Sequence, residues 1–191
     1  MNNVLRDTLF TNFLYSAELE VNLSAIEKSC YALKELNSGV QKSNQNGWQS
    51  ESSNYSDFFT DVALADLKDK CIQFSQFVSV NEGLGYDINS VDAWVNINYA
   101  NSYNKPHTHP GSILSGCFYV KVPENSGDLS FVRSDASSCA LTFANKASEN
   151  TFLLKPQPSR LYVFPPWLMH MVTLNESSQD RISIAFNFLV K

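Results

Sequence analysis

Three histidines are all the chain contains, and their placement could build a metal site. His107 and His109 sit in Pro106-His107-Thr108-His109-Pro110, and His170 closes Pro165-Pro166-Trp167-Leu168-Met169-His170. Along an extended segment residues i and i+2 point to the same side, so the imidazoles of His107 and His109 can converge on one point. A third imidazole about sixty residues later, delivered by another strand, would complete a three-point facial set. Imidazole suits iron, copper, nickel and zinc, and a facial set of three protein ligands leaves positions open for substrate or oxygen. An HxH pair alone is a weak signal, because a lone histidine is more often a hydrogen-bonded core or surface residue.

The sequence that follows His170 strengthens the case. Arg181 comes eleven residues later and opens the run Arg181-Ile-Ser-Ile-Ala-Phe-Asn-Phe188. Strict alternation there predicts a strand with Ile182, Ile184, Phe186 and Phe188 on one face and Arg181, Ser183, Ala185 and Asn187 on the other. The second face could meet solvent or a central cavity. In a cavity, the Arg181 guanidinium could make a bidentate, charge-assisted pair with a carboxylate, and the Ser183 hydroxyl could add a hydrogen bond. Otherwise Arg181 is an edge-strand arginine paired with a surface acid or solvated.

The elements that must position these groups change character along the chain. The first ninety residues read as mainly helical. Leu19, Leu23, Ile26, Cys30 and Leu33 recur at helical spacing up to a stop at Asn37-Ser38-Gly39. Leu64, Leu67, Cys71, Phe74 and Phe77/Val78 form the stripe of a second helix from about Asp61 to Val80. Between them, residues 41–57 are crowded with Ser, Asn and Gln and read as a polar loop. From Asn81 onward short β-type runs alternate with Gly, Pro, Asn and Ser. The predicted strands are Ala93–Tyr99, Ser115–Val122, Asp128–Val132, Thr151–Leu154, Arg160–Phe164, Met171–Leu174 and Arg181–Val190. Many short strands favour a sandwich or barrel over a parallel α/β sheet.

Composition bounds the rest. With 191 residues, 43% of them hydrophobic, the chain can bury a self-sufficient core. The balance of 14 Lys and Arg against 19 Asp and Glu gives a net charge of -5. Without a dense basic run, a nucleic-acid partner is not expected. No stretch approaches a membrane span, and the start MNNVLRDTLFTNF has no leader-like basic and apolar regions, so a soluble cytoplasmic protein without a membrane partner is expected. Cys30, Cys71, Cys117 and Cys139 show no CxxC spacing and fit reduced core thiols.

At this point the sequence resembles the Fe(II)/2-oxoglutarate-dependent dioxygenases, whose motif runs HxD, a distal His, then Arg or Lys about ten residues on, with RxS as one variant. The likeness covers roughly residues 92 to 188. Tyr99-Ala-Asn-Ser-Tyr103-Asn-Lys-Pro-His107 is similar to the prolyl-hydroxylase lead-in to the first ligand. Ser115-Gly-Cys-Phe-Tyr119-Val, Ser126-Gly-Asp-Leu-Ser-Phe131 and Arg160-Leu-Tyr-Val-Phe164-Pro resemble the strands that follow it. The resemblance implies a mainly β fold, a double-stranded β-helix or jelly roll with N-terminal flanking helices. It would form one oxygenase-like domain over 1–191, with a helical support region at 1–90 and the site-bearing core at 91–191.

The resemblance also implies the chemistry. His107, His109 and His170 would hold Fe(II), and together with Arg181 would form the catalytic set. The C5 carboxylate of 2-oxoglutarate would meet Arg181, assisted by Ser183, Tyr119 or Tyr99. With O2, and ascorbate as an optional reductant, oxidative decarboxylation would release succinate and CO2, with hydroxylation of a small-molecule or peptide substrate as the default outcome. Trp94, Tyr103, Phe118 and Trp167 could line the substrate entrance, and Asn187 could reach the pocket as a supporting donor. A homodimer is left open. One departure matters: the family at large has a ligand Asp where this chain has His109. Three readings follow: three imidazoles hold the metal, two hold it with water or an anion in the third position, or the site has lost iron. The rival functions are a three-histidine dioxygenase that does not use 2-oxoglutarate and a non-catalytic jelly-roll binding module.

Overall fold

The computed structural model describes residues 11–55, 58–133 and 151–190; Cys139 lies outside them. Two helices form on the predicted apolar stripes, but the first begins only at Leu23, leaving Leu19 outside it. Helix α1 spans Leu23–Leu36 and is capped by Asn22, whose side chain accepts from the Ala25 amide. Helix α2 spans Val62–Asn81 and is capped by Asp61, which accepts from the amides of Ala63 and Leu64. Each cap satisfies first-turn donors that the helix itself cannot, and the Asp61 charge also complements the helix dipole. The buried stripe of α2 is Leu64, Leu67, Cys71, Ser75 and Val78, while Phe77 is exposed.

Among the described residues eleven strands form two antiparallel sheets. In chain order they are β1 Tyr15–Glu18, β2 Asn44–Gln45, β3 Trp48–Gln49, β4 Ser90–Asn98, β5 Tyr103–His107, β6 Leu114–Lys121, β7 Leu129–Val132, β8 Thr151–Leu154, β9 Arg160–Phe164, β10 His170–Val172 and β11 Arg181–Leu189. The major sheet has the order β1-β9-β6-β11-β4-β3 and the minor sheet β2-β5-β10-β7-β8. This is the double-stranded β-helix, or jelly roll, with helices on one side.

The first ninety residues contribute more than helices. Strand β1 extends the major sheet beside β9, and the polar stretch expected as a loop holds two short strands joined by a turn. The first, β2, pairs with β5 in the minor sheet, and the second, β3, pairs with β4 in the major sheet. The turn between them places Asn46 at φ 58, a left-handed conformation that asparagine tolerates. The β2–β3 connection therefore ties the two sheets together along one edge. Strands of two residues carry no periodic signal, which is why polar composition dominated the sequence reading.

The main hydrophobic core lies outside the sandwich, between the major sheet and the helices. Ile182, Ile184, Phe186 and Phe188 of β11 are fully buried there against Ile26, Cys30, Leu64, Leu67 and Cys71. Burial of such side chains stabilises the fold by roughly 1.5–3 kcal/mol each. The packing is close enough that Gly116 on β6 admits no side chain: a Cβ there would lie 2.8 Å from the Tyr162 carbonyl oxygen. Between the sheets only a small apolar cluster forms, centred on Leu129, Phe131 and Phe164. The intersheet space is thus left to the polar face of β11.

Candidate metal centre

The β5–β10 ladder builds half of the site. His107 ends β5, His170 begins β10, and the two are directly opposed in register. His109 lies just past the end of β5, where its backbone amide donates to the Pro166 carbonyl at 2.9 Å. The proline-rich segments on either side of the ladder are thereby stapled together. The three histidines can each present one ring nitrogen within 4.8 Å of the others, and no other group of three or more His, Cys, Asp or Glu does so among the described residues.

Hydrogen bonds at the outer ring nitrogens decide which nitrogen faces inward. His107 Nδ1 donates to the Lys105 carbonyl at 2.7 Å and His170 Nδ1 to the Leu168 carbonyl at 2.9 Å. A carbonyl can only accept, so both rings carry the proton on Nδ1 and present an Nε2 lone pair to the centre. His109 Nδ1 lies 2.6 Å from Asn187 Oδ1, and its Nε2 is 3.2 Å from His170 Nε2. The indole of Trp94 stacks on His109, with ring centroids 5.5 Å apart and an interplanar angle of 16°.

Burial keeps all three imidazoles neutral. Desolvation lowers His107 below its ordinary value, takes His109 down to about 4 and takes His170 down to about 3, with the neighbouring histidines adding to the effect on the last two. Neutral imidazole is the ligating form, so the site is ready for a cation without first losing protons. A consequence follows for the metal-free protein. As pH falls below about 6.5 the unfolded chain takes up protons at these histidines and the folded chain does not, so stability present above that pH is lost progressively toward pH 4. Thermal melting of the metal-free protein should therefore fall across this window, and a Tm flat from pH 7 to 4 would contradict the burial of the three rings.

The inner face of β11 continues away from the histidines. Its register sets Arg181 opposite Asn98 of β4, and Ser183 opposite Asn96 of β4 and Tyr119 of β6. A cavity of about 40 Å³ lies against the three histidines, Trp94, Asn96, Asn104, Cys117 and Ser183. Arg181 is 1% exposed, donates from Nη1 to the Ser126 carbonyl at 3.2 Å, and leaves Nε without a partner. The Tyr119 hydroxyl and Asn98 Oδ1 are likewise buried and unpartnered. Desolvation lowers the Arg181 guanidinium from its usual value, and Asp128 opposes this only through space, since no ion pair forms between them. A buried cation with an unused donor, beside an unused phenol hydroxyl, is an unfinished anion site.

A larger groove of about 920 Å³ opens outside His107 and His109. The β2–β3 segment and its flanks line it through Lys42, Gln49 and Glu51, together with Trp94 and Asn187.

Of the residues singled out in the sequence, His107, His109, His170, Arg181, Ser183 and Tyr119 come together between the sheets. Tyr99 does not. Its ring packs on the helical side of the major sheet with Lys34 Nζ 5.2 Å from the ring centroid. Inward-facing residues on β4 are even-numbered, so Asn98 takes the place expected for Tyr99. Among the aromatics proposed for the entrance only Trp94 lines the groove. Phe118 is in the outer core, and Tyr103 and Trp167 are exposed. Asn187 reaches the pocket as an acceptor toward His109, not as a donor. Asn96 and Asn98 escaped notice, although extending the period-2 alternation from the Arg181 strand to Trp94-Val-Asn-Ile-Asn98 would have found them.

Comparisons with known proteins agree with this geometry. Residues 92–187 match the family model described as "Putative 2OG-Fe(II) oxygenase". No curated protein matches in sequence. Among solved structures, a prolyl-4-hydroxylase from Pseudomonas putida superimposes with TM-score 0.67 at 12% identity, over 95% of this chain and 94% of its own. A Trichoplax adhaerens prolyl hydroxylase, in complex with a hypoxia inducible factor oxygen degradation domain peptide fragment, gives 0.66 at 13% identity over 94% and 84%. The non-heme alpha ketoglutarate dependent epimerase SnoN from nogalamycin biosynthesis gives 0.67 at 11% over 93% and 78%. At these identities the structural likeness speaks to the fold. No described helix is long and apolar enough to cross a membrane.

Proposed function

The chain belongs to the 2OG-Fe(II) oxygenase family, and from that premise we propose that it is a non-haem Fe(II)- and 2-oxoglutarate-dependent dioxygenase that hydroxylates a small-molecule or peptide substrate. The carrying observation is that a buried, unpaired guanidinium and three neutral imidazoles share one intersheet space. The donor set suits both groups that the family implies. Three converging Nε2 lone pairs fit a divalent cation, and the open Nε of Arg181 with the Tyr119 hydroxyl fits a carboxylate.

In this reading His107, His109 and His170 hold iron through Nε2. Arg181 takes the C5 carboxylate of 2-oxoglutarate, with Tyr119 donating to it and Ser183 close by. When bound, the two groups would supply the oxidising chemistry, in which O2 is consumed and 2-oxoglutarate becomes succinate and CO2. The chain's own part is to bind and to exclude water. Trp94, Leu129, Phe164 and Val172 line the cavity beside the histidines and keep it dry. Because the imidazoles are neutral they leave the charge of a divalent ion uncancelled, and the dianionic co-substrate offsets it. The groove outside His107 and His109 offers a substrate direct approach to the centre.

A three-histidine dioxygenase without 2-oxoglutarate would need Arg181 only for a carboxylate on its own substrate, and a binding module would have no use for the converging imidazoles. Aerobic incubation with Fe(II) and labelled 2-oxoglutarate separates these readings. Iron-dependent succinate and CO2 are expected even without the substrate, through uncoupled turnover. No succinate from protein with iron demonstrably bound would overturn the proposal.

A further inference from the structure

The geometry points to Asn187 as the positioning residue that makes His109 a metal ligand, by accepting the Nδ1 proton and so presenting Nε2 to the centre. This rests on the reading of the three histidines as a metal site.

A carboxylate at position 109 would need no such help, because either oxygen can ligate in any protonation state that matters. An imidazole binds through one nitrogen only when the other carries the proton. His107 and His170 solve this locally, each donating to the main-chain carbonyl two residues earlier. The Nδ1 of His109 turns instead to a side chain 78 residues away, Asn187 Oδ1, at 2.6 Å. Ser115 Oγ lies 3.5 Å from the same oxygen. The Trp94 stack fixes the plane of the ring, so the remaining freedom is which nitrogen holds the proton.

That freedom is real, because the alternative is also hydrogen-bonded. With the proton on Nε2, His109 would donate to His170 Nε2 at 3.2 Å, and Asn187 would turn its NH2 toward Nδ1. This tautomer closes the site to a cation. With His109 and His170 both protonated on Nδ1, two Nε2 lone pairs face each other at 3.2 Å, an arrangement that a cation held by both rings stabilises. Asn187 therefore holds the choice between an open and a closed ligand set.

The test uses the full metal-free chain titrated with Zn(II), with affinity read by competition against a chromophoric chelator. Asn187→Leu, which can neither accept nor donate, should lose 10–100-fold in affinity, the usual effect of removing a partner of a ligating histidine. Asn187→Asp can only accept, so it should bind at least as tightly as wild type. A merely structural role for the amide would weaken both variants alike. Long-range 15N–1H correlation in Zn(II)-loaded wild type should show all three histidines protonated on Nδ1, a spectrum simplified by there being no others. Wild-type affinity in the leucine variant, equal weakening in both variants, or His109 protonated on Nε2 in the loaded protein would each overturn the inference. A wild-type chain that takes up no Zn(II) would overturn the metal reading itself and this inference with it.

Discussion

His170→Ala should lower Fe(II) affinity by on the order of 100-fold or more, beyond the 10–100-fold typical of losing only a supporting partner of a ligand. His170 is central to the set. It is 5% exposed, opposes His107 in the ladder and approaches His109 to 3.2 Å. Its removal leaves two imidazoles at the end of β5 and no ligand from β10. The backbone ladder does not depend on the ring, so β5, β7 and β10 should stay paired and far-ultraviolet circular dichroism should be unchanged. Trp94 stacks directly on His109 and so offers the measurement, because a paramagnetic ion bound at the centre should quench its fluorescence. Anaerobic titration should show that quenching at micromolar metal in wild type and not in the variant. Equal quenching curves would remove His170 from the ligand set.

Arg181→Met should raise the 2-oxoglutarate requirement by 100-fold or more while leaving metal affinity close to wild type. Truncating one side of a buried, hydrogen-bonded charge pair generally costs about 2–5 kcal/mol, and each factor of ten corresponds to about 1.4 kcal/mol. The stability readout has a less familiar sign. Without co-substrate the guanidinium is buried with no ion-pair partner among the described residues, which destabilises the free protein, and a methionine of similar length removes that burden. The ligand-free variant should therefore melt at or above the wild-type temperature, and 2-oxoglutarate should no longer raise its Tm. Arg181→Lys should recover only part of the affinity, because an ammonium cannot reproduce the planar fork. An unchanged 2-oxoglutarate requirement in the methionine variant would place the carboxylate elsewhere.

Much of this site was legible before the fold was known, and the reason is periodicity. The run Arg181 to Phe188 alternates without a break, so its apolar face announced the core and its polar face announced the pocket. The i and i+2 spacing of His107 and His109 worked for the same reason. The failures came where periodicity is silent or was not followed across strands. Tyr99 looked suitable by residue type, yet it lies just beyond β4, on the side opposite Asn98. Strands β2 and β3 are too short to alternate. The direction of the His109 to Asn187 hydrogen bond depends on which ring nitrogen carries a proton, and no spacing rule encodes that. The state of Arg181 belongs to the same class, since it is the lack of an ion pair among the described residues, with Asp128 acting only through space, that gives the residue its meaning.

The division of labour across the major sheet has an evolutionary reading. Folding energy is concentrated on the outer face, where β11 meets the helices, while the histidines, Arg181 and Asn187 stand in a space that contributes little apolar burial. Exchanging groups there alters chemistry without eroding the core, so the site can explore ligand sets at nearly constant stability. An imidazole ligand such as His109 is the kind of variation such an architecture tolerates. It requires only that one inward-facing position on an already rigid strand supply the matching acceptor.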